Sequence, residues 1–317
     1  MINCRYTHTH TNVSGKYINK KVLSIKTHAA VAGKIILSFV SVIILGILAV
    51  IIFTVAALLS GSDLDGFAAS MENNSALQYI QICLFIASAY GMYALFERKK
   101  GWSIGLKQKT GAKEFLIGAL SGIILISLSA LIIIILDGAS WERTVWDREV
   151  VQSLLLGLLL FSAVSLSEEI YSRGYIQGLL KYHYGSTVAI IVSSLLFTLL
   201  HSMNQSMFST PIPFINILLA GIIMALAREL TGGLWWPIGL HLTWNFFQGY
   251  VYGFNVSGTE LPPSILRTID KGPAWLSGGP FGIEGSIIAV MMLLIGIAGL
   301  YFYYSKKPKA DNQPPAL

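Results

Sequence analysis

Long apolar runs are the feature of this chain that most limits its fold. They recur along the 317 residues, of which only 12% are charged, and the mean hydropathy of +0.64 lies outside the range of soluble globular proteins. Apolar runs of about 18 residues or more are typical of membrane-spanning helices, and no alternating pattern of the barrel type recurs. The sequence therefore predicts an all-α, polytopic integral membrane protein with its active site in the interior of the helix bundle.

Eight transmembrane helices are predicted, at 34–60, 78–96, 115–137, 150–171, 186–203, 214–228, 235–252 and 284–304. They divide the chain into a basic tail, a set of N-terminal transmembrane helices, a core and a second basic tail, over residues 1–33, 34–148, 149–304 and 305–317. In the third span, Gly118 and Gly122 have the small-xxx-small spacing that predicts a helix-packing face. The loop 253–283, rich in Gly and Pro, is expected to form a cap over the helices.

The placement of the basic residues predicts the orientation in the membrane. The N-terminal tail, the loop 97–114 and the C-terminal tail are rich in Lys and Arg, whereas the loop 61–77 carries only acidic charges and the loop 204–213 carries none. Because Lys and Arg concentrate in short cytoplasmic loops, both termini are predicted to be cytoplasmic. The basic tail is read as this topology signal, so no nucleic-acid partner is predicted. The expected surroundings are the lipid bilayer, most simply of a bacterial plasma membrane.

Few ionisable residues lie inside the predicted spans. The insertion of a charged residue at mid-span is unfavourable by roughly 2.5 to 3.5 kcal/mol on insertion scales. In the second half of the chain, the strongly polar residues at membrane depth are Glu168, Glu169, His201, His241 and Asn245. Such residues are rare in membranes and usually face a cavity or a reaction. A catalytic or ion-transport cluster is therefore expected on three helices.

Helical geometry assigns different tasks to the two adjacent carboxylates. Glu169 and Arg173 are four residues apart, so they share a helix face and are expected to form a structural ion pair. Glu168 points about 100° away around the axis and is left unpaired. An unpaired carboxylate in a low-dielectric cavity is a candidate general base. Because the span is expected to end near residue 171, the scissile bond of a substrate is predicted to be presented from the cytoplasmic side or within that leaflet.

The imidazole and amide groups also follow helical spacing. His241 and Asn245 lie four residues apart on one face, where both can donate hydrogen bonds to one oxygen, an arrangement suited to an oxyanion. Phe197 precedes His201 by four residues, so its ring is expected to stack one turn below the imidazole and to fix its orientation. Taken alone, a buried histidine is most often an interhelical hydrogen-bond donor, and only the whole set favours a reactive site.

Three short motifs carry a resemblance to a known family. SEEIYSRGYIQ, FTLLH and HLTWN resemble, in order, the EExxxR, FxxxH and HxxxN motifs of the CAAX protease and bacteriocin-processing family of intramembrane endopeptidases. The flanking TGGLWWPIGLHLTWNF and GGPFGIEGS also resemble it, so that the resemblance covers roughly residues 150–300. It implies that Glu168 and His201 activate a water molecule, that His241 and Asn245 stabilise the oxyanion, and that Glu169 and Arg173 hold their helix in place.

Two alternatives stay open at this stage. The first is a metal-dependent mechanism, in which Glu168, His201 and His241 would ligate Zn²⁺ with water in the fourth position. A glutamate mechanism without a cofactor is favoured, because it uses the asparagine more naturally. The second alternative is a transporter or bacteriocin-immunity protein that relays protons or binds a peptide without cleaving it. The sequence selects neither an oligomeric state nor one substrate among prenylated CAAX-type proteins, leader peptides and regulatory membrane peptides.

Overall fold

The computed structural model describes the backbone of residues 24–61 and 75–306, with side chains from residue 79 onward in the second range. Several features used for the predicted orientation, namely most of the basic N-terminal tail, Asp63, Asp65 and Glu72 of the acidic loop, and Lys307 and Lys309, lie outside these residues.

The described part of the chain is built from helices joined mostly by short connections. The α-helices before the cap, in chain order, are α1 (Ile25–Leu59), α2 (Ser75–Phe96), α3 (Gly111–Ile135), α4 (Arg148–Glu169), the seven-residue α5 (Gly178–Tyr184), α6 (Ser186–Leu200), α7 (Pro211–Thr231) and α8 (Trp235–Phe246). Two π-helical segments, Ile170–Gln177 and Phe247–Val251, continue α4 into α5 and extend α8. After the cap region comes the last of the long helices, α10 (Ile287–Ser305).

The helices agree with the predicted spans in number and order but differ in length. Six helices within the described residues are long and apolar enough to cross a membrane. The two shorter ones are α6, with 15 residues, and α8, with 12. Since a span needs about 20 residues, α6 and α8 reach only part of the way across a bilayer. Most residues of α8 are buried by neighbouring helices, so this helix is enclosed by protein.

Two predicted boundaries need correction. The first helix begins at Ile25, nine residues before the predicted start of the span at 34. The predicted end of the fourth span at residue 171 is wrong, because the helix is continuous from Arg148 to Tyr184. The polar residues of SEEIYSR interrupt the apolar pattern without ending the helix, since Glu169 and Arg173 bond to each other and to neighbouring segments of the protein. The motif therefore lies in the middle of a 37-residue helix rather than at its end.

The closest helix contact joins α3 to α8 through the glycines that the sequence singled out. A Cβ atom added to Gly118 would lie 2.1 Å from the carbonyl oxygen of Trp236, and one added to Gly122 would lie 2.6 Å from that of Leu240. Thr243 Oγ1 donates a hydrogen bond of 2.9 Å to the carbonyl oxygen of Ala119 across the same contact. The packing face predicted for Gly118 is therefore confirmed, and it fixes the helix that carries His241 and Asn245.

The loop after α8 folds into a small cap with secondary structure that the sequence did not predict. Strand β2 (Leu266–Asp270) pairs antiparallel with β1 (Ala139–Arg143), which precedes α4. The short helix α9 (Ala274–Ser277) and two 3-10 turns, Gly279–Phe281 and Ile283–Gly285, lead into α10. The β1–β2 ladder ties the start of α4 to the cap, so the two sides of the bundle are joined at this end.

Replacement of Gly118 by alanine should destabilise the protein by about 1–3 kcal/mol, because a methyl group forces two backbones apart. Thermal unfolding of the purified protein in detergent measures the effect. Gly91→Ala is the matched control, since nothing lies within 4 Å of a Cβ atom there. Equal melting temperatures for the two variants would contradict the packing argument.

Candidate active site

The two adjacent glutamates lie where α4 changes into the π-helical segment Ile170–Gln177. Such a segment inserts an extra residue into the helical turn, and π-bulges occur frequently at functional sites. The segment is anchored from outside. Gln177 Nε2 donates a 2.9 Å hydrogen bond to the carbonyl oxygen of Ala225, and Arg228 Nη2 lies 3.4 Å from that of Gly174. Helix α7 thus holds the irregular turn in place.

Glu169 is fully buried and is shared by two basic groups. Arg173 Nη1 donates to Glu169 Oε1 at 2.8 Å, so the ion pair predicted from their spacing is present. His241 Nδ1 lies 3.1 Å from the same oxygen, a contact that the sequence did not predict. Because the carboxylate accepts, Nδ1 carries the proton and Nε2 faces the other way. Glu169 therefore orients the imidazole of α8 in addition to holding Arg173.

Arg173 connects two helices beyond its own. Its Nη2 donates to the carbonyl oxygen of Gly221 in α7 at 3.3 Å. Its guanidinium carbon lies 4.0 Å from the centre of the Phe197 ring of α6, which is a close cation–π contact. Arg173 is fully buried, so its charge is balanced by Glu169 and by these contacts rather than by solvent.

Glu168 faces two imidazoles in place of an ion-pair partner. Its Oε2 lies 3.9 Å from His241 Nε2 and 4.0 Å from His201 Nε2, and 29% of its side chain is exposed. These separations are too long for direct hydrogen bonds, but a water oxygen among the three atoms would be within reach of each. The two carboxylates therefore have the different environments that their helical angles predicted.

His201 follows the last residue of α6 and is oriented by that helix. Its Nδ1 lies 2.9 Å from the carbonyl oxygen of Phe197, so Nδ1 is the hydrogen-bond donor. Nε2 is left as a hydrogen-bond acceptor on the side of the ring that faces Glu168. The imidazole and the Phe197 ring have centroids 4.5 Å apart and are tilted by 50°. The expected stacking is thus a tilted contact, and the backbone carbonyl fixes the orientation of the imidazole.

Five of the candidate residues line one cavity of about 410 Å³ inside the bundle, namely Glu168, Phe197, His201, His241 and Asn245, whereas Glu169 and Arg173 lie behind its wall. Asn245 lies one helical turn from His241 and is 9% exposed. The cavity wall is otherwise mainly apolar, with side chains from α2, α4, α6, α7 and α8. Its main polar lining residues are Glu168, His201, Asn204, His241, Asn245 and Glu284.

Sequence reasoning missed Glu284, a third carboxylate at this cavity. It accepts hydrogen bonds from the backbone N–H of Ser257 at 2.7 Å and from Ser257 Oγ at 2.8 Å. Burial raises the pKa of the Glu284 carboxyl, and the Ser257 donors offset part of that effect. The signal that could have found it is the segment GGPFGIEGS, an acidic residue among glycines directly before an apolar run.

The arrangement only partly fits the alternative zinc site. Two imidazole nitrogens and a carboxylate oxygen are a suitable donor set, and Glu169 and the Phe197 carbonyl would orient the two rings from behind. Ligand atoms around a tetrahedral zinc, however, lie about 3.3 Å from one another. The separations from Glu168 to the two rings, 3.9 and 4.0 Å, are wider. Within the described residues no cluster has the geometry of a metal site, so we derive no catalytic step through a metal.

Removal of Arg173 should destabilise the fold strongly, because it leaves the buried carboxylate of Glu169 without its main counter-charge. We expect Arg173→Met to lower the free energy of unfolding by about 3–5 kcal/mol. Glu168→Gln, a change at a partly exposed side chain, should leave it nearly unchanged. Melting curves in detergent compare the two. A wild-type melting temperature for Arg173→Met would contradict the structural role.

Comparison with known proteins adds one finding to this geometry. Residues 150–247, about a third of the chain, match the family described as type II CAAX prenyl endopeptidase Rce1-like. The matched segment contains Glu168, Glu169, Arg173, His201 and the pair on α8, but not Glu284. No match was found among curated proteins or among solved structures. Residues 150–247 of this integral membrane protein are thus similar to the Rce1-like family.

Proposed function

We propose that the protein is an intramembrane endopeptidase that cleaves a peptide bond of a membrane-associated substrate. The observation that carries the proposal is the convergence of Glu168 Oε2 with the Nε2 atoms of His201 and His241 at one cavity inside the bundle. The family match supports the same reaction class. A protein that only binds a peptide would not require a carboxylate and two oriented imidazoles around a space that accommodates a water molecule.

In the proposed reaction, Glu168 and His201 bind and activate the attacking water. His201 Nε2 accepts a hydrogen bond from the water because Nδ1 is the donor to the Phe197 carbonyl. Glu168, as the carboxylate, takes a proton while the water oxygen forms a bond to the scissile carbonyl carbon. The C–N bond then breaks as the proton passes from Glu168 to the leaving amine. Atoms and charge balance without a cofactor.

The negative charge that develops on the carbonyl oxygen needs donors on the opposite side of the water. Asn245 supplies an amide N–H₂, and His241 supplies Nε2–H when its ring is doubly protonated, since Nδ1–H already points to Glu169. The carboxylates of Glu168 and Glu169 balance the charge of that imidazolium. One such donor is typically worth about 100- to 1,000-fold in rate.

Loss of the proposed base should abolish most of the activity. We expect Glu168→Gln and His201→Gln each to lower kcat by roughly 100- to 10,000-fold. The assay is cleavage of quenched fluorescent peptides, one farnesylated and ending in a CAAX-type sequence and one an apolar leader-type peptide, by purified full-length protein. Glu260→Gln, at an exposed carboxylate of the cap, is the matched control and should retain wild-type turnover. Equal turnover in wild type and both site variants would contradict the proposed roles of Glu168 and His201, and absence of cleavage in all three would favour a non-proteolytic role.

Chelation decides between the two mechanisms. Under the metal-free mechanism, turnover of the same peptides should be unchanged after incubation with a strong chelator, because the activated water is held by side chains alone. The measurement is the rate before and after chelation, followed by addition of Zn²⁺. Loss of activity that Zn²⁺ restores would overturn the glutamate mechanism and assign Glu168, His201 and His241 as ligands.

A further inference from the structure

The helix bundle has two ends that differ in charge. We call the basic face the end formed by residues 97–110 and by the short turns at 185 and 232–234. We call the loop face the opposite end, formed by residues 136–147, 201–210 and 252–286. The stretch 97–113, which includes the basic-face residues 97–110, contains Arg98, Lys99, Lys100, Lys107, Lys109 and Lys113.

The loop face lacks such an excess of basic residues. Residues 201–210 contain no Lys, Arg, Asp or Glu, and residues 252–286 contain two basic and three acidic residues, namely Arg267, Lys271, Glu260, Asp270 and Glu284. Lys and Arg bias in short loops sets the orientation of membrane proteins, with the basic side in the cytoplasm. The loop face is accordingly expected on the opposite side of the membrane.

The wall of the catalytic cavity is completed only from the loop face. The cavity-lining residues that lie outside the α-helices and the π-helical segments are His201, Asn204, Val256, Ser257, Thr259 and Glu284. All of them belong to the loop face, and no lining residue within the described part of the chain comes from the basic face. Asn204 Nδ2 donates a 3.0 Å hydrogen bond to the Ser257 carbonyl oxygen, so the two loops form one rim.

The path from the cavity to the basic face is blocked. Every residue from 169 to 180 is buried, and this stretch includes Arg173 and Gln177, whose side chains bond to the backbone of α7. His201 lies at the loop-face end of α6, and the 15 residues of that helix place it about 22 Å from the basic face. The interior between the site and the basic face is therefore filled by packed side chains.

We propose that the cavity opens toward the loop face, so that the substrate is a peptide segment exposed on the non-cytoplasmic side of the membrane. This inference rests on the proposed peptidase function and names its substrate class: the exported or juxtamembrane part of a polypeptide that the bilayer retains. A C-terminal tail confined to the cytoplasm, as in a CAAX-type substrate, does not reach this entrance. The cytoplasmic presentation expected from a span ending at 171 is replaced accordingly.

Cysteine labelling in cells tests the direction of the cavity without any substrate. Cys4 and Cys83 are first replaced by serine and alanine, and single cysteines are then introduced into the full-length chain. Thr259→Cys places a thiol at an exposed residue that lines the cavity, and Ser209→Cys places one on the exposed surface of the loop face. Lys107→Cys is the matched control on the basic face. A membrane-impermeant maleimide is applied to intact bacterial cells and to permeabilised cells.

The expected result is equal labelling of the Thr259→Cys and Ser209→Cys variants in intact and permeabilised cells, with Lys107→Cys labelled only after permeabilisation. The reverse pattern overturns the inference. Labelling of Ser209→Cys without labelling of Thr259→Cys also overturns the inference, because it would show that the cavity is closed on that face. Labelling does not depend on catalysis, so a failure of the peptide-cleavage assay and a failure of this inference are separate results.

Discussion

The burial of one carboxylate, Glu169, is the constraint on which the site depends. A fully buried negative charge is tolerated only with a counter-charge and hydrogen bonds around it. Arg173 and His241 provide both, and Arg173 extends the link to the backbone of α7 and the ring of Phe197. Four helical segments are thereby fixed around a single oxygen atom. The Glu169–Arg173 pair therefore has a structural role that is separate from any catalytic role of the motif.

The neighbouring Glu168 has the opposite environment, and the contrast is what makes the pair useful. It is partly exposed, is approached by two imidazole nitrogens at about 4 Å, and forms no ion pair with an arginine within the described residues. Each imidazole is oriented from behind by a different acceptor, Glu169 for one and the Phe197 carbonyl for the other. The proposed mechanism needs this arrangement, because hydrogen bonds at Nδ1 decide what Nε2 can do.

The cap turns a cleft between helices into a bounded cavity. Glu284 joins it to the site by holding Ser257, whose backbone has a positive φ of 48°, a conformation that non-glycine residues adopt only when their surroundings hold them there. The β1–β2 ladder anchors the same region to the start of α4. The wall of the cavity consequently includes segments that contain none of the three motifs.

The sequence by itself determined the helical membrane fold, the Gly118 packing face, the Glu169–Arg173 pair and four of the polar residues that line the cavity, namely Glu168, His201, His241 and Asn245. Each follows from a local rule, either apolar length or the spacing of residues three and four apart on a helix. Only the tertiary structure decided that Glu169 also binds His241, that Glu284 borders the cavity, that a π-helical segment carries the helix on to Tyr184, and which face closes the site. These features depend on contacts between segments far apart in the chain, such as the 72 residues that separate Glu169 from His241. Helical periodicity relates a residue only to its near neighbours, so it carries no information about such contacts.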